Sequence, residues 1–178
     1  QIKLLEKKGG KSDRNAALGQ ARNAAILVCS DTLAAGQGQD RSGEVIREKL
    51  VQLGITVAEK RIVADEVTAI QAAAKDFVGQ QLDLVIFTGG TGISPRDVTP
   101  EALEPLLDRR LLGVEEAIRA YGQQRLATAM LSRSLAGQVG KTLVLALPGS
   151  PAGAAEGMDA VFPAVLHAFS VRDGARHD

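Results

Sequence analysis

The chain has 178 residues, and its 21 Lys and Arg are balanced by 21 Asp and Glu, so the formal net charge at pH 7 is zero. That balance, with an aromatic content of 3% and no tryptophan, speaks against a nucleic-acid partner, which needs a basic surface or a stacking platform. A single cysteine excludes an internal disulfide and any paired-cysteine metal knot, while the length and the 45% hydrophobic content suit one domain with a sizeable core.

Residues 1–23 are basic, contain glycine and lack sustained periodicity, which reads as a tail or linker. AAILVCS (24–30) is apolar throughout, as strands of parallel sheets are, and places Cys29 in the core as a structural thiol. The polar stretch 31–40 reads as a loop. A helix follows at about 41–53 with Val45, Ile46, Leu50 and Leu53 on one face and Gly54 as its stop. ITVAEKRIV (55–63) is the next strand. Asp65 stands where an N-cap would, ahead of a helix whose stripe is Val67, Ile70, Ala74, Phe77 and Val78.

LDLVIFT (82–88) is the third strand and runs straight into TGGTGISPRDVTPEAL (88–103). There Thr99 is placed to cap a helix, Pro100 suits its first position, and Glu101 favours its positive end. A further helix is expected at about 111–124. TLVLALPGSP (142–151) repeats the design of an apolar strand ending in a tight turn, and a helix over 154–169 should break or bend near Pro163. Residues 171–178 read as a second tail. No apolar run approaches the roughly 18 residues of a membrane span, and no signal peptide is visible, so a soluble cytoplasmic protein is expected.

Alternating strands and helices call for an α/β fold: a three-layer α/β/α sandwich around a mostly parallel sheet. Such sheets bind ligands beyond the carboxyl ends of their strands. Three loops at such ends, CSDT, TGGTG and PGSP, therefore converge on one candidate site. Glycines there let backbone N–H groups approach a phosphate, although a cluster of this kind also serves as a plain strand-to-helix turn. Asp97 reads either as a helix cap or partner of Arg96, or as a carboxylate holding Mg²⁺ against phosphates. Asp65 carries the same ambiguity. Ser132 and Arg133 read as loop polar groups or as donors to a phosphate. LAGQVGKT (135–142) ends like a phosphate-binding P-loop, but it lacks the first glycine and precedes a strand, so it reads as a loop between elements. His167 and His177 stand apart from any metal-ligand spacing.

The segments SDT (30–32), DRSG (40–43), ADE (64–66), TGGTGISPRDVTPEAL (88–103), AMLSRS (129–134) and LALPGSPAG (147–153) resemble the MogA/MoaB family of molybdenum cofactor biosynthesis, which includes gephyrin G domains. The resemblance covers about residues 23–170 and makes 24–170 a molybdopterin-binding domain. It implies a molybdopterin adenylyltransferase, converting molybdopterin and Mg-ATP to adenylyl-molybdopterin and pyrophosphate. It makes Asp65 and Asp97 the essential acidic pair that holds Mg²⁺ and the triphosphate. Gly89, Gly90, Thr91 and Gly92 would cradle the substrate phosphate together with Ser132, and Ser30 with Pro148, Gly149 and Ser150 would line the nucleotide side. The alternative within the family is a module that binds and transfers molybdopterin without nucleotide chemistry. The resemblance also implies a homotrimer or hexamer. Finally, IKLLEKKGGKSD (2–13) resembles the C-terminal end of the MoaC family, so fusion to, or association with, a cyclic pyranopterin monophosphate synthase domain is expected.

Overall fold

The computed structural model describes residues 22–174. The expected tail 1–23 lies outside them but for its last two residues, as does the end of the second tail with His177. Strands β1 (Arg22–Cys29), β2 (Ile55–Val63) and β3 (Leu84–Thr88) alternate with helices α1 (Asp31–Ala34), α2 (Ser42–Gln52) and α3 (Val67–Gly79). After β3 come α4 (Thr99–Leu103), the short strand β4 (Arg109–Arg110) and α5 (Leu112–Gln123). The chain ends through β5 (Leu135–Val139), β6 (Thr142–Leu147), α6 (Pro151–Val161) and α7 (His167–Arg172). All six strands form one sheet in the order β2-β1-β3-β6-β5-β4. The first four are mutually parallel, and β5 and β4 are antiparallel additions at one edge.

The central strands β1, β3 and β6 are buried on both faces of the sheet, and the two-residue period of a strand divides their side chains between the faces. Ala24, Ile26 and Val28 of β1, with Leu84 and Ile86 of β3, pack against Ile46 and Leu50 of α2, Ile118 of α5 and Met158 of α6. Ala25, Leu27 and Cys29, with Val85 and Phe87, pack on the other side against Ile70 and Phe77 of α3 and Leu103 of α4. Each fully buried Leu, Ile or Phe contributes roughly 1.5–3 kcal/mol. The expected three-layer sandwich is therefore the observed one.

Local differences from the sequence reading have physical causes. The loop after β1 opens with a helical turn because Ser30 Oγ accepts from the backbone N–H of Leu33 at 3.3 Å. Residues 135–139 form a strand rather than a loop: Leu135 and Ala136 are buried, and the segment pairs with β6 through a tight turn at Gly140 and Lys141. Glu66, not Asp65, is the N-cap of α3, and Thr99 is the first residue of α4 rather than its cap. The long C-terminal helix is broken at Phe162–Pro163, as the proline predicts. Among the described residues no helix is long and apolar enough to cross a membrane.

Candidate functional site

Because β1, β2, β3 and β6 are parallel, their carboxyl ends deliver Ser30, Asp65, Gly89 and Pro148 to the same edge of the sheet. The loop after β3 is held from below. Thr88 Oγ1 donates to the Pro148 carbonyl at 2.8 Å, Gly89 N–H donates to the Leu147 carbonyl at 3.2 Å, and Thr99 Oγ1 donates to the Gly89 carbonyl at 2.8 Å. With its carbonyls turned inward, the loop leaves the N–H groups of Gly90, Thr91 and Gly92 without a protein acceptor among the described residues. Successive free N–H groups are what an anion-binding nest consists of.

Two glycines set the loop against the two aspartates. Gly90 has φ +63, and a Cβ there would lie 2.4 Å from Thr99 Oγ1 and 3.1 Å from Asp65 Oδ1. A Cβ on Gly92 would lie 2.7 Å from Asp97 Oδ2. Asp65 thus lies against Gly90 and Asp97 against Gly92, so both carboxylates touch the bare backbone of one loop. Neither aspartate caps the helix that follows it. Asp97 neither caps α4 nor pairs with Arg96; its Oδ2 accepts from Ser94 N–H at 2.8 Å and closes the turn that precedes the helix.

Asp65 is braced by a residue the sequence reading left in a loop. Asp31 N–H donates to Asp65 Oδ2 and Asp65 N–H donates to Asp31 Oδ1, each at 3.0 Å. Arg96 grips the Asp31 carboxylate from outside, Nε and Nη2 each at 2.9 Å from an oxygen. The second oxygen of Asp65, Oδ1, is buried and accepts no hydrogen bond. Burial, followed by the negative charges of Asp31 and Asp97, pushes the Asp65 carboxyl above the usual carboxylate range. Hydrogen bonds from Arg96, then from Asp65 N–H, pull Asp31 below it. Only the SDT at a strand end hinted at Asp31, and nothing local announced its partner 65 residues away.

Arg133 does not point at a ligand. Its Nε donates to the Gly92 carbonyl at 2.8 Å and its Nη2 to the Asp97 carbonyl at 2.7 Å, while Nη1 pairs with Glu101. It staples the loop that carries Asp97. Beside that loop opens a cavity of about 510 Å³. Gly90, Thr91, Gly92 and Asp97 line one part of it, and Ser132 with the turn Pro148, Gly149 and Ser150 line another. Ser132 Oγ lies 2.9 Å from Ser134 Oγ, and Ser150 Oγ caps α6 by accepting from Gly153 N–H at 3.0 Å. Gly89 sits behind the loop, and Ser30 and Asp65 lie outside the cavity lining. The expected residues therefore divide into two groups on either side of the glycine loop. The sequence reading missed Arg119 on α5, Arg125 in the turn after it and Glu156 on α6, which also line the cavity.

Residues 25–167 match the family model described as a probable molybdopterin binding domain. A molybdenum cofactor biosynthesis bifunctional protein of Chlorobaculum tepidum is 42% identical over 176 residues, 99% of this chain and 55% of that protein. A molybdopterin adenylyltransferase of Helicobacter pylori is 39% identical over 143 residues, covering 79% of this chain and 81% of its own. Among solved structures, the molybdopterin biosynthesis enzyme MoaB of Thermus thermophilus matches with a TM-score of 0.81 at 40% identity, over 88% of this chain and 99% of that one. The chain spans 55% and 59% of the lengths of two bifunctional relatives, the second from Synechococcus elongatus.

Proposed function

The chain belongs to the molybdopterin-binding domain family, and from that membership we propose that it is a molybdopterin adenylyltransferase of molybdenum cofactor biosynthesis. The observation that carries the proposal is the pair of carboxylates set against one loop of free N–H groups, Asp65 at Gly90 and Asp97 at Gly92. A module that merely captured a phosphate would gain nothing from two carboxylates that repel it. A site that handles a metal-bound triphosphate needs them.

The terminal phosphate of molybdopterin is held by the N–H groups of Gly90, Thr91 and Gly92 and by the Ser132 hydroxyl. On the other side, outside that cavity, Ser30 and Asp65 face the nucleotide, whereas the Pro148-Gly149-Ser150 turn, expected there too, lines the same cavity as Ser132. One phosphate oxygen of the pterin attacks the α-phosphorus of ATP. The new O–P bond forms as the bond to the oxygen bridging the α- and β-phosphorus breaks, and pyrophosphate leaves with that electron pair. Such a transfer relies on positioning and charge neutralisation rather than on a protein nucleophile. Cys29 is no candidate for one, since burial pushes its thiol up to about 12.

Among the described residues no group of three or more His, Cys, Asp and Glu is assembled around a metal. Mg²⁺ shared with a nucleotide is commonly held by one or two carboxylates, with phosphate and water oxygens completing the shell. The buried, partnerless Oδ1 of Asp65 fits that donor set, and Asp65 and Asp97 are the residues that would hold the ion. When bound, it supplies neutralising charge to the triphosphate and the leaving pyrophosphate.

Asp97→Asn tests the reading by separating capture from chemistry. The variant is expected to bind molybdopterin close to wild-type affinity and to form no adenylyl-molybdopterin. Loss of molybdopterin binding in a folded variant would contradict the role given to Asp97.

The assembly and setting are proposals of the same standing: a homotrimer or hexamer in the cytoplasm, fused to or associated with a cyclic pyranopterin monophosphate synthase domain. The bifunctional names of two relatives support the last point. The oligomer is supported by Leu112 and Met130, large apolar side chains that are more than half exposed and lie outside the cavity lining. Light scattering of the purified chain tests it directly.

A further inference from the structure

The cavity beside the glycine loop contains one carboxylate for which the transfer chemistry has no use. Glu156, on α6, lines it together with Ser132 and the Pro148-Gly149-Ser150 turn, while Ser30 and Asp65 do not. The space next to Glu156 therefore belongs to the half of the site that takes the pterin. Glu156 is half-buried, and among the described residues its carboxylate accepts no hydrogen bond and joins no ion pair.

Both cations of the same cavity are committed elsewhere. Arg119 Nη1 donates to the Ser134 carbonyl at 2.9 Å, and its Nη2 lies 3.6 Å from Glu115. Arg125 lies 3.6 Å over the Tyr121 ring and donates to the Tyr121 carbonyl at 2.8 Å. The Glu156 carboxylate is open to the cavity and uncommitted to any protein donor among the described residues, so both of its oxygens are available to N–H groups of a ligand. Ile118, Leu126 and Leu131 line the cavity too and offer apolar surface for a flat ring.

We infer that Glu156 is the specificity-determining residue for the pterin ring, its two carboxylate oxygens accepting hydrogen bonds from the 2-amino group and N3–H. A pterin presents those two N–H groups side by side along one edge, the same spacing that lets a guanidinium meet a carboxylate with two parallel hydrogen bonds. The ring lies against Ile118, Leu126 and Leu131, and its side chain reaches back to the glycine loop. This assignment rests on the molybdopterin reading above and adds the group that selects a pterin over other flat heterocycles.

The test measures the binding of molybdopterin and of Mg-ATP to the full chain and to Glu156→Gln and Glu156→Ala. It adds two probes, 6-hydroxymethylpterin phosphate and its counterpart with oxygen in place of the 2-amino group. Glu156→Gln puts a donor where an acceptor stood and should weaken molybdopterin binding about 10- to 100-fold, as expected for hydrogen bonds to a charged group. Affinity for Mg-ATP should not change. Wild type should prefer the amino probe to the oxo probe by about tenfold, the range for one such contact, and Glu156→Ala should erase the preference. That ratio is read within one preparation, so a loss of folded fraction does not disturb it. Unchanged molybdopterin affinity and an unchanged ratio in both variants would overturn the inference and leave the adenylyltransferase reading intact. A loss confined to Mg-ATP would move Glu156 to the nucleotide and overturn it as well. Failure of wild type to bind molybdopterin at all would remove both.

Discussion

Asp31 and Asp65 exchange a reciprocal pair of hydrogen bonds, each backbone N–H donating to the other's carboxylate at 3.0 Å across the ends of β1 and β2. The arrangement fixes Asp65 Oδ2 and leaves Oδ1 facing the glycine loop, while Arg96 holds Asp31 in place.

Asp31→Ala removes the acceptor of Asp65 N–H and the anchor of Arg96 together. Because a misplacement of about 1 Å in a catalytic group can cost about 10²-fold, kcat for adenylylation should fall by that order. Asp31→Asn keeps an acceptor for Asp65 N–H and should retain much more activity. Molybdopterin affinity should be close to wild type in both. Equal kcat in wild type and Asp31→Ala would show that Asp65 needs no brace.

Asp65 ought to be a stability liability that serves the site. Its folded pKa is raised, so the stability it contributes is present below the ordinary value of 3.8 and is lost as pH rises through the folded value. Asp65→Asn keeps an oxygen for Asp31 N–H and cannot ionise. The variant should therefore be more stable than wild type in urea at pH 8, and the advantage should shrink as pH falls toward 4. A variant less stable at pH 8 would contradict the sign.

Gly90→Val places a β-branched side chain at φ +63 against Thr99 Oγ1 and Asp65 Oδ1. Strain of this kind costs about 1–3 kcal/mol, and rebuilding the loop to relieve it would spoil its N–H array. Thermal unfolding and molybdopterin titration should both report the loss. Unchanged affinity would reduce the loop to a turn.

Arg133→Ala unpins the carbonyls of Gly92 and Asp97. Since these two hydrogen bonds hold the loop rather than a ligand, kcat should fall while the KM for Mg-ATP changes little. A large rise in that KM with kcat unchanged would place Arg133 on the nucleotide instead.

Much of the fold was legible because β1, β3 and β6 are buried on both faces and are written as unbroken apolar runs, AAILVC, LVIFT and TLVLAL. The antiparallel edge was not. β4 is two exposed arginines, and β5 carries Gly137 at its centre, so its pairing with β6 depends on tertiary contacts rather than on local pattern. At the site, the glycine loop and its aspartates stood out because residue types that rarely cluster stand close together in sequence. Asp31 meets Arg96, and Glu156 comes to line one cavity with Ser132, only once the fold has brought distant segments together, and no spacing rule carries that information. The capping assignments of Asp65 and Thr99 failed for a related reason. Both side chains are drawn to partners across the loop, Asp31 and the Gly89 carbonyl, rather than to their own helices.

The most direct measurement of the central claim is mass-spectrometric detection of adenylyl-molybdopterin, with parallel release of pyrophosphate, when the purified chain meets molybdopterin and Mg-ATP beside an Asp65→Asn control. The account predicts stoichiometric product and pyrophosphate from wild type and neither from the variant. Tight molybdopterin binding with no product from wild type would contradict it and leave a protein that captures the pterin without adenylylating it.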